Sequence, residues 1–460
     1  MAKLSSLRGI SGQAPQAQRN LTLDCNELAQ KKVMLKGWVE RVRTHGKISF
    51  FDLRDRAGVI QIAAHDAQAA VVAKLSPQDV VEVEGAVKAR DKKYINPEIE
   101  TGKVEIQLTS VKVIAKAAEM PFDMGGKDLD LELPTLLDFR ALTLRHQSVR
   151  PIFKVQEAIV EGFRKAAKDL ECTEIFTPTI SYSSTEGGAE VFKVDYYGHK
   201  TFLIQSPQLY KQMMVPTFER VYLISHAYRA EPSVTTRHLS ESTQMDCELG
   251  FLGFEELLDA LEFVGSETLK YAAKKHASIL KQFDAREPAI PAKIPRLKMR
   301  EAQEIIFEQT GRDVRHEPDL GPEDEKDISV WALEKHNSDL VTITHFPTAK
   351  RAFYTCPDPK NPEFSLSYDL LFRGIEILSG SKRIDDYEKL VSVIKTRGMK
   401  PSDFEIYLQA FKFGMPPHGG FSFGLERMTM KMLELQNVRE ASLFPRDMER
   451  VDVRFSRHEE

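Results

Sequence analysis

A chain of 460 residues exceeds what a single hydrophobic core usually organises, so two folded units are expected. With 42% hydrophobic and 29% charged residues the composition is that of a globular protein, and a net charge of −4 excludes a protein that coats itself in nucleic acid; any RNA contact has to be local. No apolar run approaches the roughly eighteen residues of a membrane span, and the first twenty residues lack the apolar stretch of a secretory signal, so a cytoplasmic location and no membrane partner are expected. The four cysteines (Cys25, Cys172, Cys247, Cys356) form no C-x-x-C pair, and reduced, buried thiols are expected rather than a zinc cage or a disulfide framework.

In chain order, residues 1–30 mix Gly, Ser, Gln and Pro without periodicity and read as a loose N-terminal extension. From 31 to 116 the short β-rich runs VMLKGWV, ISFFDLR, GVIQIAA, DVVEVEGAV and KVEIQLTSVKVI follow one another, with a helical insert at Ala67 to Leu75. Five strands with one helix after the third suit a small Greek-key barrel of the OB type, a fold that commonly binds oligonucleotides. Two stretches here are basic: Lys36 to Arg56 has six Lys or Arg against three acids, and Lys88 to Lys103 five against three. Residues 117–145, with Pro121, Gly125, Gly126 and Pro134, read as a hinge.

The texture changes in 146–460. PIFKVQEAIVEGFRKAAKDLE carries Ile152, Val155, Ile159, Phe163, Ala166 and Leu170 at the spacing of an amphipathic helix. Further helices are expected at Phe254 to Gln282 and Arg427 to Leu435, and strands at TFLIQS, RVYLISHAYR, QMDCELGFL, LVTITHF, SYDLLFRGIEIL and FGMPPHGGFSFG. Without a regular βαβ alternation, this predicts an antiparallel α+β domain. Neither G-x-x-x-x-G-K-[ST] nor G-x-G-x-x-G occurs, so a nucleotide would have to be held by side chains.

Three segments of this second unit resemble the signature motifs of class II aminoacyl-tRNA synthetases. The first is the helix and strand ending at Pro178; the second is YRAEPSVTTRHLSESTQMDCE, and the third GGFSFGLER. EGGAEVFKVDYYGHKTFLIQSPQLYKQM, YDLLFRGIEILSGSKRI, AFKFGMPPHGGFSFGLER and the closing LFPRD resemble the aspartate-specific members, over about Asp138 to Asp447. The large insertion of bacterial aspartate enzymes is missing, whereas INPEIETGKVEI in the barrel is similar to the bacterial form. The resemblance implies an OB-fold anticodon domain followed by an antiparallel class II catalytic domain, a homodimer built on the first motif, and charging of tRNA-Asp with L-aspartate by way of an adenylate.

What the resemblance implies for residues follows the chemistry. Two anions, the aspartate α-carboxylate and the ATP α-phosphate, must meet, so cations have to dominate the site. Arg229 would bridge carboxylate and α-phosphate, with Arg427 as the second catalytic cation. Glu231, Arg237 and His238 would hold the nucleotide, and Glu376 and Ser379 would hold Mg²⁺ between phosphates, with the Asp369 carboxylate supporting the metal from behind them. Lys211 and Arg383 would meet the β-carboxylate, and Glu186, Gln208 and Asp246 the ammonium group. In the barrel Arg43, Phe50, Gln61 and Glu105 would read the middle anticodon base, Phe50 by stacking and the others at base edges. Phe50 and Phe51 should point to opposite faces of their strand.

Taken alone, each of these has a plainer structural reading: R-x-E is common, Arg427 could be a helix-surface cation, Glu376 a strand salt bridge and Phe50 a core residue. Ser422 stands where the third motif usually has glycine, Ser242 where relatives have a stacking phenylalanine, and Lys382 where glutamine is usual. Glu40 occupies the part of the barrel that in relatives bears on whether tRNA-Asn is accepted beside tRNA-Asp, and it is neither familiar residue. An asparaginyl-tRNA synthetase, an aspartate-ammonia ligase and a non-catalytic RNA-binding relative are the competing readings; Lys211, the barrel and the intact motif charges respectively weigh against them.

Overall fold

The computed structural model describes residues 19–182, 190–232 and 235–457. Contacts divide the chain into two units, with the boundary between Asp130 and Leu131.

The first unit is a closed five-stranded barrel of β1 (Lys32–His45), β2 (Ile48–Arg54), β3 (Val59–His65), β4 (Val80–Ala89) and β5 (Val104–Ala115), in the order β1-β2-β3-β5-β4. All neighbours are antiparallel except β3 and β5. Alternation decides what goes inside: Val33, Leu35 and Val39 of β1 and Val81, Val83 and Val87 of β4 are buried, and their odd-even neighbours face out. The helix Asp66–Val72 follows β3, as expected, and buries Ala69 and Val72. Phe51 is fully buried while Phe50 is half-buried, so the pair does split across the two faces.

Of the expected extension 1–30, residues 1–18 lie outside the described residues, and 20–30 are docked on the barrel. Thr22 donates its N–H and its hydroxyl to the two carboxylate oxygens of Asp55, at 2.8 and 2.7 Å, and the turn Leu23–Glu27 buries Cys25 in the barrel core. Backbone bonds from Asn20 N to the Met34 carbonyl and from Gln30 N to the Val87 carbonyl, with Leu28 on the core, complete the docking of a segment whose composition lacks periodicity.

The second unit is built on an eight-stranded sheet in the order β12-β13-β14-β15-β16-β11-β10-β6. Its strands are β6 (Thr173–Glu174), β10 (Arg220–Tyr228), β11 (Glu241–Gly250), β12 (Arg296–Lys298), β13 (Leu340–Thr344), β14 (Ser367–Phe372), β15 (Ile375–Lys382) and β16 (His418–Gly424). The six central strands are antiparallel as expected; the two edges, β12 on β13 and β6 on β10, are parallel. A small separate sheet joins β7 (Ile180–Ser181), β9 (His199–Leu203) and β8 (Lys193–Tyr196). The helix Arg150–Asp169 buries Ile152, Val155, Ile159, Phe163 and Ala166 against the sheet and the helix Phe254–Lys275; Gly162 allows the close approach, since a Cβ there would stand 3.0 Å from the Thr268 carbonyl.

The second half of the expected hinge belongs to this unit. Leu133–Asp138 and Arg140–Thr143 are helical, Asp138 pairs with Arg450 and Arg454, and the buried Arg140 donates to the carbonyls of Glu440, Ser442 and Leu443. Arginine side chains, not apolar periodicity, hold these short helices, which is why the stretch reads as linker. SYDLLFRGIEIL, read as one strand, is the hairpin β14–β15 turned at Arg373 and Gly374, both with positive φ.

Candidate active site

Strand pleating gathers the chemistry on one face. On β11, Met245, Cys247 and Leu249 point into the core, so Gln244, Asp246 and Glu248 point the other way, towards a cleft of about 480 Å³. On β15 the period breaks: Leu370 pairs with Leu378 but Leu371 with Glu376, leaving Ile377 as a bulge. That extra residue puts Glu376 on the cleft side together with Ser379, Ser381 and Arg383, although a regular strand would place Glu376 and Ser379 on opposite faces.

At one end of the cleft Arg383 lines the wall and Lys211 stands behind it, both almost wholly buried and both on Glu248. Lys211 comes from the short helix Gln208–Met213; its Nζ lies 2.8 Å from Asp246 Oδ1, 3.4 Å from Glu248 Oε2 and 3.3 Å from the Phe421 carbonyl. Arg383 donates Nε to Glu248 Oε1 at 2.9 Å and Nη2 to Glu248 Oε2 at 3.2 Å and to Gln208 Oε1 at 3.1 Å, with Nη1 on Ser381 Oγ at 2.7 Å. Gly420 is required beneath them: a Cβ would collide with the Glu248 carboxylate and the Cys247 carbonyl. Burial pushes the Glu248 carboxyl up, but Arg383 and Lys211 outweigh it and hold it below the usual carboxylate range. For Asp246 burial wins over Lys211 and the carboxyl is raised; its Oδ2 has no hydrogen-bond partner among the described residues. Glu248 was missed from sequence, although its place two residues beyond Asp246 on one strand was a usable signal.

The other end is lined by Arg229, Glu231, Arg237, His238, Glu376 and Arg427. Arg427, in the first turn of the helix Leu425–Met432, donates to the Glu376 carbonyl at 3.2 Å and stands 3.8 Å from its carboxylate. Arg237 is engaged by Glu325 at 2.9 Å and the Gly374 carbonyl at 2.9 Å. Burial, and then the neighbouring Arg427, holds the His238 imidazole below its usual range, with Glu231 opposing.

Asp369 and Ser379, expected beside a metal, are both held by a residue that sequence reading passed over. Arg351 donates Nη2 to Asp369 Oδ2 at 2.6 Å and Nη1 to Ser379 Oγ at 3.2 Å. Burial first, and then Asp369, raises the Glu376 carboxyl to about 7, with Arg427 and Arg351 opposing and 34% of the side chain still exposed. Ser422 turns its hydroxyl to Gln244 Oε1 at 3.1 Å, and Ser242 lines the cleft beside Leu239 and Val438. Glu186 lies outside the described residues.

On the barrel, Arg43, Gln61 and Glu105 form one network. Arg43 Nη2 reaches Asp52 Oδ1 at 2.8 Å and Gln61 Oε1 at 3.4 Å, and Gln61 Nε2 donates to Glu105 Oε2 at 2.9 Å. Phe50 is the cross-strand neighbour of Arg43. Asp52 and Arg90 complete the network and were not anticipated; Arg90 reaches Gln61 Oε1 at 3.4 Å and lies 3.7 Å from Glu105. Glu40, at the β1 bulge, pairs with Arg54 at 2.6 Å, whose guanidinium lies over Trp38.

Residues 132–448 match the family described as tRNA synthetases class II (D, K and N), and residues 33–114 the OB-fold nucleic acid binding domain. The chain belongs to the class II tRNA synthetases. This synthetase is 39% identical over 435 residues to an aspartate–tRNA(Asp/Asn) ligase of Thermus thermophilus, covering 94% of its own chain and 99% of the relative, and 38% identical to an aspartate–tRNA(Asp) ligase of Pyrococcus abyssi, covering 92% and 97%. The synthetase also superposes on the asparaginyl-tRNA synthetase of Pyrococcus horikoshii complexed with asparaginyl-adenylate, with a TM-score of 0.85 at 29% identity over 95% of this chain and all of that one. On the aspartyl-tRNA synthetase of Entamoeba histolytica the TM-score is 0.83, also at 29% identity, over 94% and 92%.

Proposed function

We propose that this synthetase activates L-aspartate with ATP and transfers it to the 3′ end of tRNA-Asp. The observation that supports the reading is a pair of cations tied to one carboxylate: Arg383 lines the cleft, Lys211 stands behind its wall, and both reach Glu248. The β-carboxylate would bind at Arg383, where an asparagine amide would forgo a charge-assisted hydrogen bond, at a cost of roughly 1–3 kcal/mol. Gln208 and the open Oδ2 of Asp246 suit the ammonium group. Arg229 would hold the α-carboxylate against the α-phosphate. The carboxylate oxygen then bonds to phosphorus as the bond to pyrophosphate breaks, and the terminal ribose hydroxyl later displaces AMP. Glu231, His238 and Arg427 would hold the nucleotide, and Arg237, bound to Glu325, would act at its edge.

Glu376 and Ser379, both on the cleft wall, would hold Mg²⁺, for which a carboxylate and a hydroxyl are suitable oxygen donors. Bound there, Mg²⁺ would neutralise phosphate charge; Asp369 we assign to orienting Arg351. The homodimer would draw on exposed apolar side chains that follow the helix Arg150–Asp169, Phe176 and Tyr182 among them. A cytoplasmic location would suit the reaction; no helix among the described residues is long and apolar enough to cross a membrane. Aspartate-dependent pyrophosphate exchange tests the first step; equal exchange with asparagine would favour the asparaginyl reading. Charging of separate tRNA-Asp and tRNA-Asn transcripts tests the acceptor, for which Glu40 paired to Arg54 is the residue to watch.

A further inference from the structure

We propose that Arg439 is a positioning residue for the nucleotide end of the cleft, acting on His238 and Arg237 through Thr235. This deepens the ATP-dependent reading and rests on it. The segment after the helix Leu425–Met432 runs back along the loop that carries these two side chains and is tied to it at three points. Val438 N donates to the Thr236 carbonyl at 2.9 Å, Ser240 N to the Arg446 carbonyl at 2.8 Å, and Arg439 Nη1 to the Thr235 carbonyl at 3.0 Å. Arg439 is only 6% exposed, and its Nε is fixed by Asp447 Oδ2 at 2.6 Å. A planar guanidinium can satisfy both partners at once, which an ammonium on a flexible stem does poorly.

Thr235 passes this anchorage on. Its hydroxyl accepts from Arg237 N at 3.2 Å and lies 2.6 Å from His238 Nδ1. With the Arg237 N–H donating to it, the hydroxyl is free to turn its own proton to Nδ1. A neutral imidazole carries one hydrogen, so it then sits on Nε2, where it serves as a donor to a phosphate oxygen. Burial and the surrounding Arg427, Arg229 and Arg237 favour that neutral form. Arg439 touches none of the reacting atoms; it holds the residue whose hydroxyl meets His238 Nδ1.

The test is calorimetric binding of ATP and, separately, of aspartate to the full chain, for Arg439→Met, Arg439→Lys, Thr235→Val and the double variant R439M/T235V, with Tm measured alongside. We expect Arg439→Met and Thr235→Val each to weaken ATP roughly tenfold, the effect of about one well-aligned hydrogen bond, with aspartate affinity within about twofold of the parent. Arg439→Lys should recover part of the loss, and the double variant should be no weaker than the weaker single one, since both act on one path. Unchanged ATP affinity in Thr235→Val, or equal weakening of both ligands by the Arg439 variants, would overturn the proposal. Should Arg439→Met fail to fold, Thr235→Val and Arg439→Lys decide. Binding is read without turnover, so a parent chain that binds ATP but exchanges no pyrophosphate would overturn the functional reading alone.

Discussion

Lys211 Nζ stands 2.8 Å from Oδ1 of Asp246 with both side chains about 1% exposed, so the specificity lysine is held by a carboxylate before any substrate arrives. Breaking a buried pair by removing one partner leaves the other charge stranded, a loss of about 3–5 kcal/mol. Lys211→Leu is therefore expected to lower Tm as well as abolish aspartate-dependent exchange. Asp246→Asn in the same background should restore part of the Tm without restoring exchange; thermal melts and exchange assays on both variants separate the two roles.

Glu426 gives a stability effect with a definite sign. Burial raises its carboxyl to about 7 against the ordinary 4.5, despite both oxygens accepting from Thr243 N at 3.1 Å. Between about pH 4.5 and 7 the folded state therefore binds a proton that the unfolded chain has released, and the stability that this proton supplies is lost as pH rises through 7. Glu426→Gln keeps an acceptor for Thr243 and removes the charge. It should match the parent in Tm near pH 5 and exceed it near pH 8; a Tm difference that does not change with pH would contradict this.

Ser422 is expected to be nearly silent. Its hydroxyl is turned to Gln244, so the serine adds a hydrogen bond and little bulk towards the nucleotide. Ser422→Gly should leave the KM for ATP within about twofold and cost about 1 kcal/mol of stability or less. A several-fold fall in that KM would mean that the side chain does crowd the site.

The barrel network predicts a split between the two half-reactions. Gln61 is held between Arg43, Arg90 and Glu105 and belongs to the unit remote from the cleft in sequence. Gln61→Ala should lower kcat/KM for charging tRNA-Asp by about ten- to hundredfold, corresponding to a lost base contact of about 1–3 kcal/mol, while pyrophosphate exchange without tRNA is unchanged. Equal loss in both assays would place Gln61 in a structural role instead.

Local chemistry carried far in this chain. Period-two alternation was enough for the barrel strands and for Phe51 in and Phe50 out, and three-and-four spacing was enough for the long helix Arg150–Asp169. Residue type and motif order were enough to nominate Arg229, Arg383 and Arg427 as the cations of one site, all of which line the cleft. Lys211 was nominated in the same way and stands behind the cleft wall, on Asp246. What the sequence could not show was pairing across distance. Arg351 claims Asp369 and Ser379, and Glu248 binds both specificity cations, through contacts that leave no local periodicity. Nor could it show the bulge at Ile377, which turns Glu376 onto the face of Ser379. Short-range spacing dictates which face of an element is apolar; which charge answers which is decided only when β11, β15 and β16 lie side by side, because ion pairs depend on position in space and not on separation along the chain.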